Sequence, residues 1–399
     1  MKRNRIVIGL LILSLTLLGA CAAPTPAQPP PQTPVVQTVV APQTVVAVQT
    51  VVAVQTVVVQ PTQPPTISSE EALTKAIELA SKAASGQAAE FKGTSGKTIG
   101  VVMPQFNNDG FLAMYIGVLT EAIKQNVSVT TLDAQLSVEK QLSMIEDLIS
   151  KKVDAIVFVP VDSDALSTGV KKANDANIPI VAMDRSTTAG IVTALVESDN
   201  VAHGAKAADL MLAALQASGI DPENAKILEL LGDQATSAGV ERHQGFIDRA
   251  KSLKLNIVTA LPTYWDNAKA NAAVMDAFQS HPDINAIYSA SGCAMYAGIE
   301  SALKSLNKLY PASDPKHIVV VDVDGCPISL DAIRNGYLDA DASQQILVMG
   351  MTAAQSAIAA AAGKAPTSAT VLLPPIAITK DNVADTNLWA NVIQAAKGQ

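Results

Sequence analysis

The sequence predicts an α/β protein made of two doubly wound parallel-sheet lobes. Three observations lead to it. From Thr98 onward, short and almost continuously apolar segments alternate with longer segments that carry apolar residues on one helical face. Strands apolar on both faces belong to parallel sheets covered by helices on both sides. The alternation runs through two series of about five strands each, and the part of the chain that follows its low-complexity start, about 300 residues, suffices for two lobes rather than one barrel.

The chain opens with Lys2, Arg3 and Arg5, an apolar run over 6–13, and a second apolar stretch ending Leu17-Leu18-Gly19-Ala20-Cys21. A basic start, an apolar middle and small residues before a cut site make residues 1–20 a secretory signal. The Leu-Gly-Ala-Cys ending resembles the lipobox of bacterial lipoproteins, which implies cleavage before Cys21 and a lipid on its sulfur. The competing reading is an uncleaved anchor, for which the apolar stretch falls slightly short of ~18 residues. The mature protein is then expected outside the cytoplasm, tethered to a membrane in the periplasm or on the outer face of the cell. Residues 21–66 read as the lipidated cysteine and a stalk. Residues 22–66 carry no charged side chain, are Pro-rich at both ends, and repeat Gln-Thr-Val-Val from Gln37, Gln43, Gln49 and Gln55. A six-residue period is too short to pack a helix pair. The alternative is a β-ribbon, since Val and Thr favour extended backbone.

Residues 67–96 read as a helix and a linker. Ser68 with Glu71 makes a capping box, and Gly86 ends the helix. Leu73, Ile77 and Ala80 share one face, so the helix docks on the body or on a neighbour. The strands of the first series are expected at 98–103, 128–132, 155–160, 180–183 and 192–197. Those of the second are expected at 226–231, 256–261, 286–290 and 317–322, with helices such as 138–151 and 201–218 between strands. Right-handed crossovers between parallel strands put the loops that follow the strands on one edge, which is where ligands bind in such sheets.

The net charge of −8 argues against a nucleic-acid partner, whose phosphates need a basic face. The four histidines, His203, His243, His281 and His317, show no metal-ligand spacing. No Gly-x-Gly-x-x-Gly follows the first strand and there is no Gly-x-Ser-x-Gly elbow, so nothing points to a dinucleotide cofactor or a hydrolase. No cofactor and no enzymatic activity are expected.

The strand ends carry carboxylates, guanidinium groups, amides and aromatic rings. They include Asn108 and Phe111 after the first strand, Asp184-Arg185 after the fourth, Arg242 on a second-series helix, Trp265, Asp324 and Gln344. Such a set suits a polyhydroxylated ligand. Carboxylates accept from paired hydroxyls, Arg donates in a planar fork, and aromatic faces cover the C–H face of a sugar ring. The bland readings are lid aromatics packing on their own lobe and, for Asp184-Arg185, a surface ion pair of little consequence.

From Thr98 to about residue 382 the chain resembles the periplasmic sugar-binding proteins of the ribose-binding type, the soluble receptors of ABC importers. The resemblance rests on Pro160-Val161-Asp162-Ser163-Asp164-Ala165, on Lys172-Ala173-Asn174-Asp175-Ala176-Asn177-Ile178-Pro179, and on Asp184-Arg185. It rests also on Ser198-Asp199-Asn200, Glu241-Arg242, His281-Pro282-Asp283 and Val323-Asp324-Gly325. It implies a type I periplasmic binding protein whose two lobes are joined by a three-strand hinge near Ser198-Asp199, Gln344-Gln345 and Pro374-Pro375. The first lobe is then 97–198 with 345–373, and the second 199–344 with 374–399. By the same resemblance, Asn108, Asp184, Arg185, Arg242, Asp324 and Gln344 hydrogen-bond a sugar, and Phe111 and Trp265 stack against it.

Two positions depart from the family pattern. Ser291-Gly292 stands where the family has Asn-Asp, which leaves Ser291 as the candidate polar contact. Gly110 stands where ribose binders carry a second aromatic ring. Ribose itself is therefore not assured. Cys293 and Cys326 follow neighbouring strands of this fold, next to Gly292 and Gly325, and are a candidate disulfide in an oxidising compartment; the alternative is two unpaired thiols. The expected function is a monomeric receptor that captures a monosaccharide, pentose or hexose, and delivers it to an ABC permease. A receptor for another small polar ligand, such as a polyol or a signalling furanone, is the alternative. A sugar-responsive transcription regulator shares the fold, but it would need a helix-turn-helix where this chain has a signal and a stalk.

Overall fold

The strand 98–103 carries Ile99, Val101, Val102 and Met103, all fully buried, and both of its faces are covered by helices. The computed structural model describes residues 70–87, 90–364 and 369–398. The expected signal, Cys21, the stalk and the Ser68 cap lie outside the described residues.

The first sheet contains β1 (Thr98–Met103), β2 (Ser128–Asp133), β3 (Ala155–Phe158), β4 (Ile180–Met183), β5 (Ala194–Ser198) and β11 (Ala369–Leu373). Its order is β11-β5-β4-β3-β1-β2 and every pairing is parallel. Helices α3 (Val138–Ser150) and α4 (Ser167–Asp175) cover one face. Helices α2 (Asp109–Lys124) and α10 (Ile346–Ala361) cover the other, and α1 (Glu70–Ala84) docks on α2 through Ala76, Leu79, Ala80 and Ala83. Gly100 lets α3 lie directly on the sheet, since a Cβ there would stand 2.4 Å from Leu148 Cδ1.

The second sheet contains β6 (Ile227–Leu231), β7 (Ile257–Pro262), β8 (Ala286–Ser289), β9 (Val319–Asp324), β10 (Ala340–Ser343) and β12 (Ile376–Thr379). Its order is β12-β10-β9-β8-β6-β7. Helices α5 (Asn200–Ala217) and α6 (Ser237–Ser252) cover one face. The other face is covered by α7 (Asn267–Ser280), α8 (Gly292–Ser305) and α9 (Pro327–Asn335). This sheet is parallel except at one edge, where β12 runs antiparallel to β10. The turn at Pro374-Pro375 brings the chain back at the edge of the second sheet, where no crossover helix constrains its direction.

The chain passes between the sheets three times, after β5, after β10 and between β11 and β12. The three passages bind one another. Ser198 Oγ donates to Gln344 Oε1 (2.6 Å), Asp199 N to Leu373 O (2.9 Å), and Gln345 Nε2 to Pro374 O (2.8 Å). Helix α11 (Trp389–Lys397) packs against α1, α2 and α9. No described helix is long and apolar enough to cross a membrane.

Candidate ligand-binding cleft

Helices that start at the carboxyl ends of these strands present their first turns to a common cleft. Four of them, α2, α5, α7 and α8, are capped by Asn108, Asp199, Asp266 and Ser291, whose side-chain oxygens accept the amide three residues on. The cleft holds a cavity of about 640 Å³, within the range of small-molecule sites. Asn108, Phe111, Asp184, Arg185, Asp324 and Gln344 line it, along with Met114, Cys293, Cys326, Ile328, Ile346 and Trp389.

On the first-lobe side, Asn108 Oδ1 accepts from Phe111 N at 3.1 Å. The bond caps α2, whose Phe111 lines the cavity, and leaves the Asn108 amide nitrogen to donate to a ligand. Asp184 sits at φ +64°, a left-handed turn that Asp tolerates. Its Oδ2 accepts from both Nε (3.0 Å) and Nη2 (2.8 Å) of Arg185. This pair is solvated, with Arg185 48% exposed.

On the second-lobe side the groups are buried and bonded to each other. Arg242 donates Nε to Asn200 Oδ1 (3.0 Å) and Nη1 to Ala290 O and Asp324 Oδ1 (both 2.8 Å). None of these bonds uses Nη2. Asp324 also accepts from Gln344 Nε2 at 2.8 Å and from Ser291 Oγ. The Gln344 carboxamide thus spans from Asp324 to Ser198 and ties this wall to the hinge.

Trp265, half-buried, lies on Gly232, where a Cβ would meet the indole at 1.9 Å, and the Arg242 guanidinium stands 5.8 Å from its ring centroid. Trp265, Arg242 and Ser291 are not among the cavity-lining residues; they hold Asp324 and its surroundings from behind. The Ser291 hydroxyl is already engaged by Asp324 and by the Ala294 amide, so the smaller side chain supports the carboxylate from below.

The expected disulfide is not formed. Cys293 is exposed in the cleft and Cys326 is buried, and both are free thiols. Cys326 occupies the N-cap of α9 with its Sγ 3.5 Å from Ser329 Oγ. His243, beside Arg242, faces Glu229 on β6 at 2.8 Å and not the cavity.

Several residues of the cleft escaped the sequence reading. Trp389 lines the cavity and donates Nε1 to Asp324 O at 2.9 Å. Lys397 closes its rim with a 2.5 Å ion pair to Asp109. Outside the cavity lining, Glu197 on β5 lies near Glu241, Asp184 and Asp199; burial, and then those carboxylates, push its carboxyl up to about 7. The one sequence signal for Trp389 was the scarcity of tryptophan, two in the whole chain.

Residues 99–365 match the family model for a periplasmic binding protein domain. The chain is 36% identical over 260 residues to the ribose import binding protein RbsB of Bacillus subtilis, covering 65% of this chain and 80% of that protein. It is 28% identical over 262 residues to the D-allose-binding periplasmic protein of Escherichia coli, covering 63% and 80%. Its fold superposes on AraP, an arabinose-binding protein from Geobacillus stearothermophilus, with a TM-score of 0.63 at 22% identity, covering 72% of this chain and 98% of that one. This is a family of transport receptors and not of enzymes. With two parallel-sheet lobes, a triple crossover and a polar cleft at the strand ends, the chain belongs to the periplasmic binding protein family, as a ribose-type member.

Proposed function

We propose that the protein captures a monosaccharide of pentose or hexose size between its two lobes and delivers it to an ABC permease. The observation that carries this reading is the buried Arg242–Asp324–Gln344 network facing the solvated Asp184–Arg185 pair and the Phe111 ring across one cleft. A sugar hydroxyl donates to a carboxylate and accepts from a guanidinium or amide, and both kinds of group stand on each wall. Closure about the passages near Ser198, Gln344 and Pro374 brings the two walls onto the ligand, with 97–198 and 345–373 as one lobe and 199–344 and 374–399 as the other.

The likeness to ribose and allose receptors supports a sugar over other polar ligands. Ser291 and Gly110 alter the wall that ribose binders use, so the hydroxyl pattern accepted here differs in detail. The protein acts as a monomer held at the membrane by a lipid on Cys21, with the charge-free segment as its tether. A thermal-shift screen over pentoses, hexoses and polyols tests the reading. A sugar at a hundredfold excess over its Kd adds about 2.7 kcal/mol of stability. Loss of membrane association in Cys21→Ala tests the anchor.

A further inference from the structure

One layer behind Asp324 lie two carboxyl groups that do not line the cavity. Asp322 and Asp341 are register partners on β9 and β10, fully buried, and the Oδ1 atom of each is left without a protein hydrogen-bond partner. Each gives its other oxygen to the segment that follows Asp324. Asp341 Oδ2 accepts from Gly325 N at 2.8 Å, and Asp322 Oδ2 accepts from Ser329 Oγ in the first turn of α9 at 2.7 Å. Two carboxyl oxygens buried on neighbouring strands satisfy each other only if one of them carries a proton. The start of α8 lies close against Asp322, since a Cβ at Gly292 would stand 2.0 Å from Asp322 Oδ2.

The segment they hold is strained. Asp324 has φ +107° and Gly325 φ +75°. A non-glycine residue in that region persists only where its surroundings over-determine it. Its anchors are the Asp341–Gly325 bond and the Trp389 bond to Asp324 O. This backbone path aims the Asp324 carboxylate at Arg242 and Gln344.

We propose that Asp322 and Asp341 share a proton and act as positioning residues for the Asp324 segment, so that their protonation state sets the geometry of the second-lobe wall. The effect on ligand affinity rests on the sugar-capturing reading above; the effect on the segment does not.

The groups around the pair are Tyr296 and Cys293 from α8, Cys326 from α9, Tyr288 from β8, and Asp324 with Arg242 from α6. Arg242 is the one cation among them and is already engaged by Asp324. Burial first, and then the facing Asp341 carboxylate, push Asp322 well above the usual carboxylate range. Burial pushes Asp341 up to about 6, against the lowering effects of the neighbouring Asp322 carboxyl and the Gly325 amide. The sign follows: the pair keeps a proton at neutral pH, and rising pH removes it and sets two negative charges against each other.

Trp265→Phe leaves Trp389 as the sole tryptophan, with its indole bonded to the Asp324 carbonyl. In that background the Trp389 emission is expected to change in a pH titration, with a midpoint above about 6 and not near the ordinary carboxylate value of about 4. Adding Asp341→Asn, whose amide donates to Asp322 and still accepts from Gly325 without a shared proton, is expected to remove that transition. Infrared spectra of the wild-type protein at neutral pH are expected to contain a protonated-carboxyl band that is absent in Asp322→Asn. No transition above about pH 6, an unchanged transition with Asp341→Asn, or no such band in the wild type would overturn the proposal.

Calorimetric titration with D-ribose adds the affinity arm. Affinity is expected to fall by up to about tenfold per pH unit beyond the transition in the wild type, and to stay level in Asp341→Asn. A chain that binds no D-ribose at any pH counts against ribose as the ligand, and the Trp389 emission still decides the positioning role.

Discussion

On the first-lobe side of the cleft, Arg185 is 48% exposed and leans on the adjacent Asp184. On the second-lobe side, the Arg242 and Asp324 side chains are 7% and 9% exposed and lie within a network of Asn200, Ala290, Ser291 and Gln344. The same charge chemistry therefore faces the ligand in two physical states. The buried wall has already lost its water and has its geometry fixed before a ligand arrives, so binding there needs little reorganisation. In the proposed closure the solvated wall gives up its water only as the lobes meet, and its long side chains are ordered at that moment. The two walls therefore differ in what they do. On the function proposed above, the second lobe recognises the ligand and the first lobe completes its enclosure.

The comparison predicts unequal effects when charge is removed. Asp324→Ala leaves Arg242 buried without its partner. It is expected to cost about 3–5 kcal/mol of stability in denaturant unfolding and to abolish measurable sugar binding. Arg242→Lys is expected to behave as a serious loss, because a point charge cannot serve Asn200, Ala290 and Asp324 at once; wild-type affinity in that variant would place Arg242 outside the recognition set. Trp265→Ala removes the indole that backs Arg242 and should weaken binding by about 1–3 kcal/mol in calorimetry. Arg185→Ala is expected to change stability by less than about 0.5 kcal/mol while still weakening binding. Equal stability losses for Arg185→Ala and Asp324→Ala would erase the distinction between the walls.

A smaller effect concerns pH. His203, the fourth residue of α5, is buried with its Nδ1 2.7 Å from Asp199 O beside the first hinge passage. Burial, and then the Arg242 charge, lower its pKa to about 4. The unfolded chain takes up this proton near the ordinary histidine value of about 6.5, and the folded one only near 4, so stability falls as pH drops through that window. Thermal melts between about pH 7 and 4 should show a component of this fall that disappears in His203→Gln.

Much of the fold was legible because buried parallel strands are written as continuous apolar runs. Ile156, Val157 and Phe158 leave little choice, and Ile180–Met183 was read at its observed bounds. The strand 340–343 was visible only as a strand end, because its Ala-Asp-Ala-Ser has no apolar run; it is buried through hydrogen bonds and register. Strands 369–373 and 376–379 were missed. They are short, lie at sheet edges and are separated only by Pro374-Pro375. The cleft residues could be read as a set, since strand ends gather at one edge. Their division into a buried and a solvated wall could not, because it depends on which side chains α6, α8 and α11 bring against them. Asp322 was written in the same strand as Asp324, but only the pairing of β9 with β10 sets it against Asp341.

If the buried second-lobe network is what recognises a sugar, the Asp324 carboxylate is the group to remove. Isothermal titration of the wild-type protein and Asp324→Asn against D-ribose, D-allose and L-arabinose decides the matter. Saturable binding of at least one of these by the wild-type protein is expected, with its loss in Asp324→Asn while the fold is retained. Binding of the same sugar with unchanged affinity in Asp324→Asn would show that recognition lies elsewhere.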